Sequence, residues 1–474
     1  MCIALIATIT LISCVESQPP PLYPLAIGVA EITPIKPIIE PVITLPSANE
    51  NQIIASPSQQ SNDQFAACVA MALDTLVVGA PNTTGGGAVW VFDLATTTTS
   101  PLKLVPPHLS TGDAFGSAVD ISNSGRFILV GAPNTNVGNL PNVGAVHLWE
   151  KVESKWVYSG TFSSDLVSSN ALLGRAVAID DDTFLAGAPF ATLSEVAAHG
   201  IVITWMRDSE GIWSESSTLN PNDLIANAQF GSSISLKATQ ALIGSPYARA
   251  SDRNELGIAN IFLRQKSHWP PTPLVQISDT NNVLYKGDRI GGHMGGTGDH
   301  FGWSVCMFGN VALVGAPGDS HGNYSGNGSV DLFEREEQNW SQIQYIIAED
   351  LESNAAFGSA VGIAGTHLVI GAPMKVHADK SAAGVVYVYQ IIPGSNPKQE
   401  EFLITLVPAQ SNVNARFGAS LACTTNRIAV CAPGAQDLST PGFIYIFNQS
   451  ENSWGVASAV VDPVVALMQP AAKQ

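Results

Sequence analysis

Bulky and small side chains alternate along this chain in a pattern that recurs seven times. One row of bulky positions holds Val69, Val119, Val177, Ile234, Val305, Val361 and Leu421; two residues further on stand Met71, Ile121, Ile179, Leu236, Met307, Ile363 and Cys423. The position before the first row is small in every copy: Cys68, Ala118, Ala176, Ser233, Ser304, Ala360 and Ser420. A period of two is that of a strand, whose side chains leave opposite faces in turn. One bulky face and one small face suit a strand that lies where several sheets converge and space is short.

Each copy continues in the same phase. A short turn, clearest as Gly309-Asn310 and Gly365-Thr366, predicts a two-residue hairpin. An apolar second strand follows and stops at a proline, which cannot donate to a ladder. After a variable loop, a glycine opens a third alternating strand, as in Gly144–Trp149, Gly328–Phe333 and Gly384–Tyr389. A weaker fourth strand is predicted near Trp156, Trp213, Trp269, Trp340 and Trp454. Four antiparallel strands repeated seven times predict an all-β fold, a seven-bladed β-propeller of four-stranded antiparallel blades. For the outermost strand of the last blade two segments compete: Ala457–Val461 at the C-terminal end, and Gln52–Ala55, which would lock the ring from the other end.

Two anchors frame every copy. The first is Phe115-Gly116, Phe301-Gly302, Phe357-Gly358 and Phe417-Gly418, with Phe65-Ala66, Leu173-Gly174 and Phe230-Gly231 in the same phase. The second is a Gly-Ala-Pro triplet that begins at Gly131, Gly315 and Gly371 and ends at Pro133, Pro317 and Pro373; Gly79, Gly187, Gly244 and Cys431 open the remaining four. The offset between anchors is 14 residues in six copies and 16 in the second. These pairs resemble the FG-GAP repeats that build the head of integrin α subunits and many microbial surface proteins. The resemblance spans roughly Gln52 to Pro463 and implies a propeller used for adhesion or protein recognition.

The chain departs from the integrin pattern in its first hairpins. An Asp-rich calcium loop needs carboxylates at alternate positions, because a hard cation takes six to eight oxygens. Six of these hairpins are too short, and the longer one, Asp120 to Gly125, has Ile128 where the last acid would stand. Asp180-Asp181-Asp182 lacks the required glycine. Calcium is thus not an expected cofactor, and the weak candidate for a cation is the Gly-rich fifth-repeat loop with Asp319, Asn323 and Asn327. Asparagine stands three before the anchor in five copies (Asn62, Asn170, Asn227, Asn354, Asn414), which a turn explains better than ligation.

Composition narrows the partners. A net charge of −18 and a pI near 4.8 exclude nucleic acid as a partner, since phosphate binding needs clustered Lys and Arg. The six cysteines show neither zinc spacing nor a disulfide framework. Residues 1–14 read as a leader: Ile3–Ile12 is apolar and too short to span a bilayer. Leu11-Ile12-Ser13-Cys14 resembles a bacterial lipobox, which implies lipidation at Cys14, although no Lys or Arg precedes it; a plain cleaved signal is the alternative. Residues 15–50 carry eight prolines and read as an extended tether, leaving 51–474 for the propeller. The layout is that of an extracytoplasmic protein, secreted or at the cell surface, monomeric, touching membrane only through a lipid anchor.

No catalytic signature is present: there is no Gly-x-Ser-x-Gly elbow, no His-Glu-x-x-His and no phosphate-binding loop. Lone strand histidines such as His147 and His367 read as structural. The expected function is therefore recognition, with a protein or glycan bound by loops of one propeller face: 134–143, 247–256 and 318–327, plus the insert 268–300. Two alternatives stand beside it. A propeller enzyme, a hydrolase or lyase, would bring two or more titratable side chains together in the axial funnel. A structural surface protein would self-associate.

Overall fold

A computed structural model describes residues 47–58, 63–96, 100–221, 225–248, 257–265, 268–270, 283–285, 298–337, 339–392, 400–434, 442–450 and 453–455. The leader, Cys14, nearly all of the tether, Ala457–Val461 and most of the insert lie outside these residues. No helix among the described residues is long and apolar enough to cross a membrane.

The strands form seven antiparallel blades. Blade 5 is representative: Ser304–Phe308, Val311–Ala316, Ser329–Glu336 and Asn339–Ile346 run in order from the inside out. The first strand of each blade packs on the first strand of the next, and Leu421–Cys423 of blade 7 returns to Cys68–Ala72 of blade 1, so the ring closes. Phe308 pairs with Val311 and Ala364 with His367, which leaves Gly309-Asn310 and Gly365-Thr366 as the two-residue turns the sequence predicts. Gly309 and Gly365 take left-handed φ values of 62° and 63° there.

The anchors explain the packing. The seven residues at the aromatic position, Leu173 included, are 0–1% exposed. The Phe115 amide donates to the Gly86 carbonyl of the preceding blade at 2.8 Å, and Phe357 and Phe417 repeat this bond to Asn327 and Ala383 at 2.9 Å. The glycine of Gly-Ala-Pro faces the anchor glycine of the following blade. A Cβ on Gly187 would fall inside the Gly231 carbonyl, and one on Gly79, Gly131, Gly244, Gly315 or Gly371 would meet its counterpart likewise. The triplet's proline then opens a β-turn: the Ala132 carbonyl accepts the Thr135 amide, and Ala316 accepts Asp319, both at 3.2 Å. The row three before the anchor is a left-handed row. Asn170, Asn227, Asn354 and Asn414 have φ of 58–62°, and Gly112 and Gly298 occupy the same row at 95° and 110°. Asparagine and glycine are the residues that tolerate this region.

The last blade is completed from the N-terminal side. Gln52–Ala55 pairs with the third strand, Ile53 opposite Tyr445 and Ile54 opposite Ile444. Ser47–Ala48 adds a parallel edge to Glu400–Leu406 of blade 6. Between the two, the buried Glu50 carboxylate accepts the Ala409 amide at 2.9 Å. Two of the tryptophans depart from the expected fourth-strand role. Trp269 is buried outside any strand, and Trp454 lies in a two-residue strand beside the third strand of blade 7, where it packs edge-on against His367 at 5.4 Å.

Two stability predictions follow from this packing. Gly187→Ala forces two blades apart and is expected to cost about 3 kcal/mol in urea melts. Gly160→Ala meets only the edge of the Phe162 ring at ordinary contact distance and is expected to stay within about 1 kcal/mol of the parent. Equal losses in both variants would contradict the blade-contact account. Removing residues 1–56 strips the outer edge from blade 7, so the truncated chain is expected to melt lower and lose hydrogen-exchange protection first in Phe443–Ser450. Protection spread evenly over all blades would argue against this clasp.

Candidate ligand face and axial channel

Successive antiparallel strands place the loops after Gly-Ala-Pro, and the crossings from one blade to the next, at one end of the ring; the first hairpins lie at the other. Four of the post-Gly-Ala-Pro loops fold as small hairpins of their own, closed by Val137–Leu140, Leu193–Val196, His321–Tyr324 and His377–Lys380 bridges. Their tips carry left-handed residues, Ser194 and Glu195 in blade 3, Ala378 and Asp379 in blade 6. Of the loop 247–256, only Tyr247 and Ala248 are among the described residues.

The fifth-repeat loop uses its polar side chains on itself. Asp319 is buried; its Oδ1 accepts the Ser320 amide at 2.9 Å, and its Oδ2 accepts the hydroxyls of Ser329 at 2.6 Å and Tyr345 at 2.7 Å. Buried Asn327 accepts the His321 amide at 2.8 Å and donates to the Gly328 carbonyl at 3.0 Å. The loop thus brings Asp319 and Asn327 together at its buried base and holds Asn323 at its exposed tip. Among the described residues no three His, Cys, Asp or Glu side chains converge to metal-binding distance.

One feature had no sequence signal until the repeats are aligned. Lys375 of blade 6 occupies the same repeat position as Asp319 and is also buried. Its ammonium donates to the Asp350 carbonyl at 2.7 Å and lies 3.3 Å from the carboxylates of Asp350 and Glu352, while Tyr387 donates to Asp350 at 2.6 Å. A buried lysine survives only when paired in this way.

The seven inner strands enclose an axial cavity of about 400 Å³. Its lining is mostly aliphatic, with Asp120 and Lys237 as its two charged side chains. Each inner strand is the free edge of its blade, and its outward amides need partners. The Asp120 Oδ2 accepts the Ile179 amide of blade 3 at 2.8 Å, and its Oδ1 accepts the Ile121 amide at 2.9 Å. Ser235, at the same repeat position, accepts the Met307 amide of blade 5 at 3.0 Å. At the rim, Lys237 donates to Asn123 at 2.9 Å, and Asp180 accepts the Ala238 amide at 3.0 Å.

Burial pushes the Asp120 carboxyl up to about 6, against the pull of the Ile179 amide and the Lys237 charge. Protein walls surround this carboxylate, yet the channel leaves part of its surface accessible. Burial likewise raises the thiols of Cys306 and Cys423 on the same lining and keeps them protonated, the unreactive form. His147 is held by Tyr158 and Thr161 at 3.3 and 3.1 Å, and burial lowers it to about 4, so it stays neutral at ordinary pH.

Asp120 makes stability depend on pH in a stated direction. Its folded value lies above the unfolded one of about 3.8, so its favourable contribution is complete below pH 4 and is lost as pH rises through 6. Asp120→Asn keeps an oxygen for the Ile179 amide and removes the charge. The variant is expected to exceed the parent at pH 8 by on the order of 1–2 kcal/mol, the full displacement being discounted for channel water. The gap should close below pH 4; a gap independent of pH in denaturant titrations would refute the assignment.

Comparison with known proteins agrees with the blade pattern. The FG-GAP repeat family matches residues 49–92, 99–149, 213–262, 294–333 and 340–389. Each stretch except 294–333 carries the outer strand of one blade together with the first three strands of the next; in 49–92 that outer strand is Gln52–Ala55, the edge of blade 7. The inner strands of blades 3 and 7, where Leu173 and Cys431 replace the usual anchors, lie outside the match. No curated protein matches the chain. Among solved structures it is similar to a putative 6-phosphogluconolactonase from Bacteroides uniformis, at 12% identity and TM-score 0.47 over 81% of this chain and 95% of that one. It is also similar to a chain of the Mitotic Checkpoint Complex, at 10% identity and TM-score 0.49 over 85% and 95%. Likenesses this distant carry no argument about activity. Five matched repeats on seven blades with buried anchors establish the chain as an FG-GAP repeat β-propeller.

Proposed function

We propose that this propeller is an extracytoplasmic recognition module that binds a protein or glycan through the loops on its Gly-Ala-Pro face. The observation that carries this reading is a division of labour within each repeat. The residues that recur are consumed by packing between blades, while those that vary are gathered at one end, where four of the loops close on themselves as small hairpins. Rigid presentation of variable side chains limits the entropy lost on binding.

A second reading has one observation in its favour. A propeller enzyme needs titratable groups together in the axial funnel, and Asp120 and Lys237 line one cavity. Both oxygens of Asp120, however, accept backbone amides, and Lys237 donates to Asn123. Those bonds close the strand edges and the rim, which supports a structural part for this pair and favours recognition.

The test is binding of the full chain to glycan and protein arrays. At least one ligand is expected to lose about tenfold or more in affinity when the tips 138–139 and 322–323 are replaced, and to be indifferent to changes at Asn123 and Ser124 on the opposite end. Binding that ignores the tips but responds to the opposite hairpins would place recognition on the wrong face.

A further inference from the structure

The axial cavity opens at the hairpin end of the ring. Its lining takes in Leu73, Asn123, Phe308 and Thr425 of the first hairpins and no residue of the loops after Gly-Ala-Pro. Leu73 and Phe308 are 65% and 48% exposed there. Further in, the first hairpins decide which backbone groups face the axis. The Ser122 amide donates to the Phe127 carbonyl at 2.9 Å, and Asp180 donates to Thr183 at 2.8 Å. Bonded and unbonded pairs alternate along an antiparallel ladder. Ile121 and Ile179, one residue earlier, therefore turn both amide and carbonyl away from the second strand and toward the axis. Met307 stands at the same repeat position and pairs with Ala312 in the same register. Side chains take the amides of all three, Asp120 those of Ile121 and Ile179, Ser235 that of Met307. The carbonyls of these residues still face the channel, so its walls offer more acceptors than donors.

Asp120 adds a charge to these acceptors. Each of its oxygens accepts one amide, which uses two of the roughly four lone-pair sites of a carboxylate, and the residue keeps part of its surface open to the channel. Among the described residues Asp120 enters no ion pair. Lys237, the one cation of the lining, holds its ammonium on Asn123 at the rim. Buried charges are ordinarily paired. Burial raises this carboxyl to about 6, which leaves it ionised at pH 8 and still without a counter-ion. A hard metal ion needs about six to eight oxygens converging on one point. The acceptors here are spread around a ring, and no three His, Cys, Asp or Glu side chains come together among the described residues. An ammonium group needs fewer acceptors, one for each of its N–H donors, and Val119, Val177, Ile234 and Val305 offer walls for a hydrocarbon body.

We propose that the axial channel binds a primary alkylammonium ion through its hairpin mouth, with the nitrogen on Asp120 and the strand-edge carbonyls and the hydrocarbon body along the aliphatic walls. An anion would meet the Asp120 charge and the carbonyl dipoles, and a neutral ligand would leave the carboxylate unpaired. Lys237 places a like charge at the entry, so it limits the affinity and disfavours a second ammonium on the same ligand. This site lies at the end of the ring opposite the Gly-Ala-Pro loops and is independent of whatever those loops bind.

The experiment is calorimetric titration and saturation-transfer NMR of the full chain at pH 8 with n-hexylammonium, its neutral counterpart 1-hexanol, and calcium. The parent is expected to prefer the ammonium to the alcohol by about tenfold. Asp120→Asn keeps the shape of the side chain and is expected to abolish that preference. Lys237→Met removes the like charge from the mouth and is expected to tighten hexylammonium about threefold at low salt. Thermal melts check that both variants fold. The site is overturned if the parent binds hexylammonium no better than hexanol, or if Asp120→Asn keeps the preference. It is overturned as well if Lys237→Met binds the amine no more tightly than the parent, which would put the amine outside the channel. Calcium that binds with the same dependence on Asp120 would make this a metal site and overturn the assignment to an amine.

Discussion

The structure depends on how closely one blade's backbone approaches the next. At six of seven interfaces the glycine of Gly-Ala-Pro lies against the carbonyl of the following anchor glycine, too close to leave room for a side chain on the glycine. That contact sets the spacing between blades, and the spacing in turn sets which residues fit on the inner strands. A bulky row faces back into the preceding blade, as Val69 and Met71 do among Ala429, Cys431 and Ile444. The small row faces forward, where Ser233 and Ser304 donate to the carbonyls of Gly302 and Gly358 at 2.7 and 2.8 Å. Close approach and small side chains are thus one constraint seen from two sides.

The seventh interface shows what happens without it. Between blades 7 and 1 the two glycines are replaced by Cys431 and Ala66, both buried in one cluster with Ile54 of the N-terminal strand. Side-chain packing replaces that one contact, while Gly442 still lies against the Phe65 carbonyl, and the cost is visible at Ala66, held at φ 68°. This seam is also where the two ends of the propeller chain meet. Pairing Gln52–Ala55 with Phe443–Ser450 joins them by main-chain hydrogen bonds, so the interface that lacks the glycine pair is tied by a strand from the start of the propeller.

Much of this was legible in the sequence because a propeller repeats its constraints. A glycine that recurs in one phase signals a shared backbone need, and the left-handed Asn and Gly rows follow from that logic. What was not legible is what does not repeat. The choice of Gln52–Ala55 over the C-terminal segment rests on a pairing between residues nearly the whole chain apart, which no local pattern encodes. Asp319 and Asn327 have the residue types of cation ligands, but residue type says nothing of direction, and both point into their own loop. Lys375 is buried because Asp350 and Glu352 arrive from a different connection. Trp269 and Trp454 look alike in sequence to Trp340 and differ only in what lies beside them.

A repeat protein separates two kinds of information that most folds mix. Positions under the same constraint in every blade converge on the same residue, and a ring of seven gives each of them seven comparisons. A departure at such a position then has two physical origins. Either the local structure has changed with it, as at Cys431 and Ala66, or the side chain is turned outward and its identity is free of the fold. Arg175 and Trp303, which stand where the other five copies carry Ala or Ser, belong to the second kind: the anchor turns of their blades keep the geometry of the others, with Leu172 and His300 both left-handed at φ 58° like Ala114 at 58° and Ala356 at 56°. Trp303 keeps a ring contact with His300 of its own turn, yet leaving 43% of the residue exposed forgoes about 1 kcal/mol of burial. Such a position tells nothing of how the ring is built, since the fold is met without it, and its identity is left to whatever the surface meets.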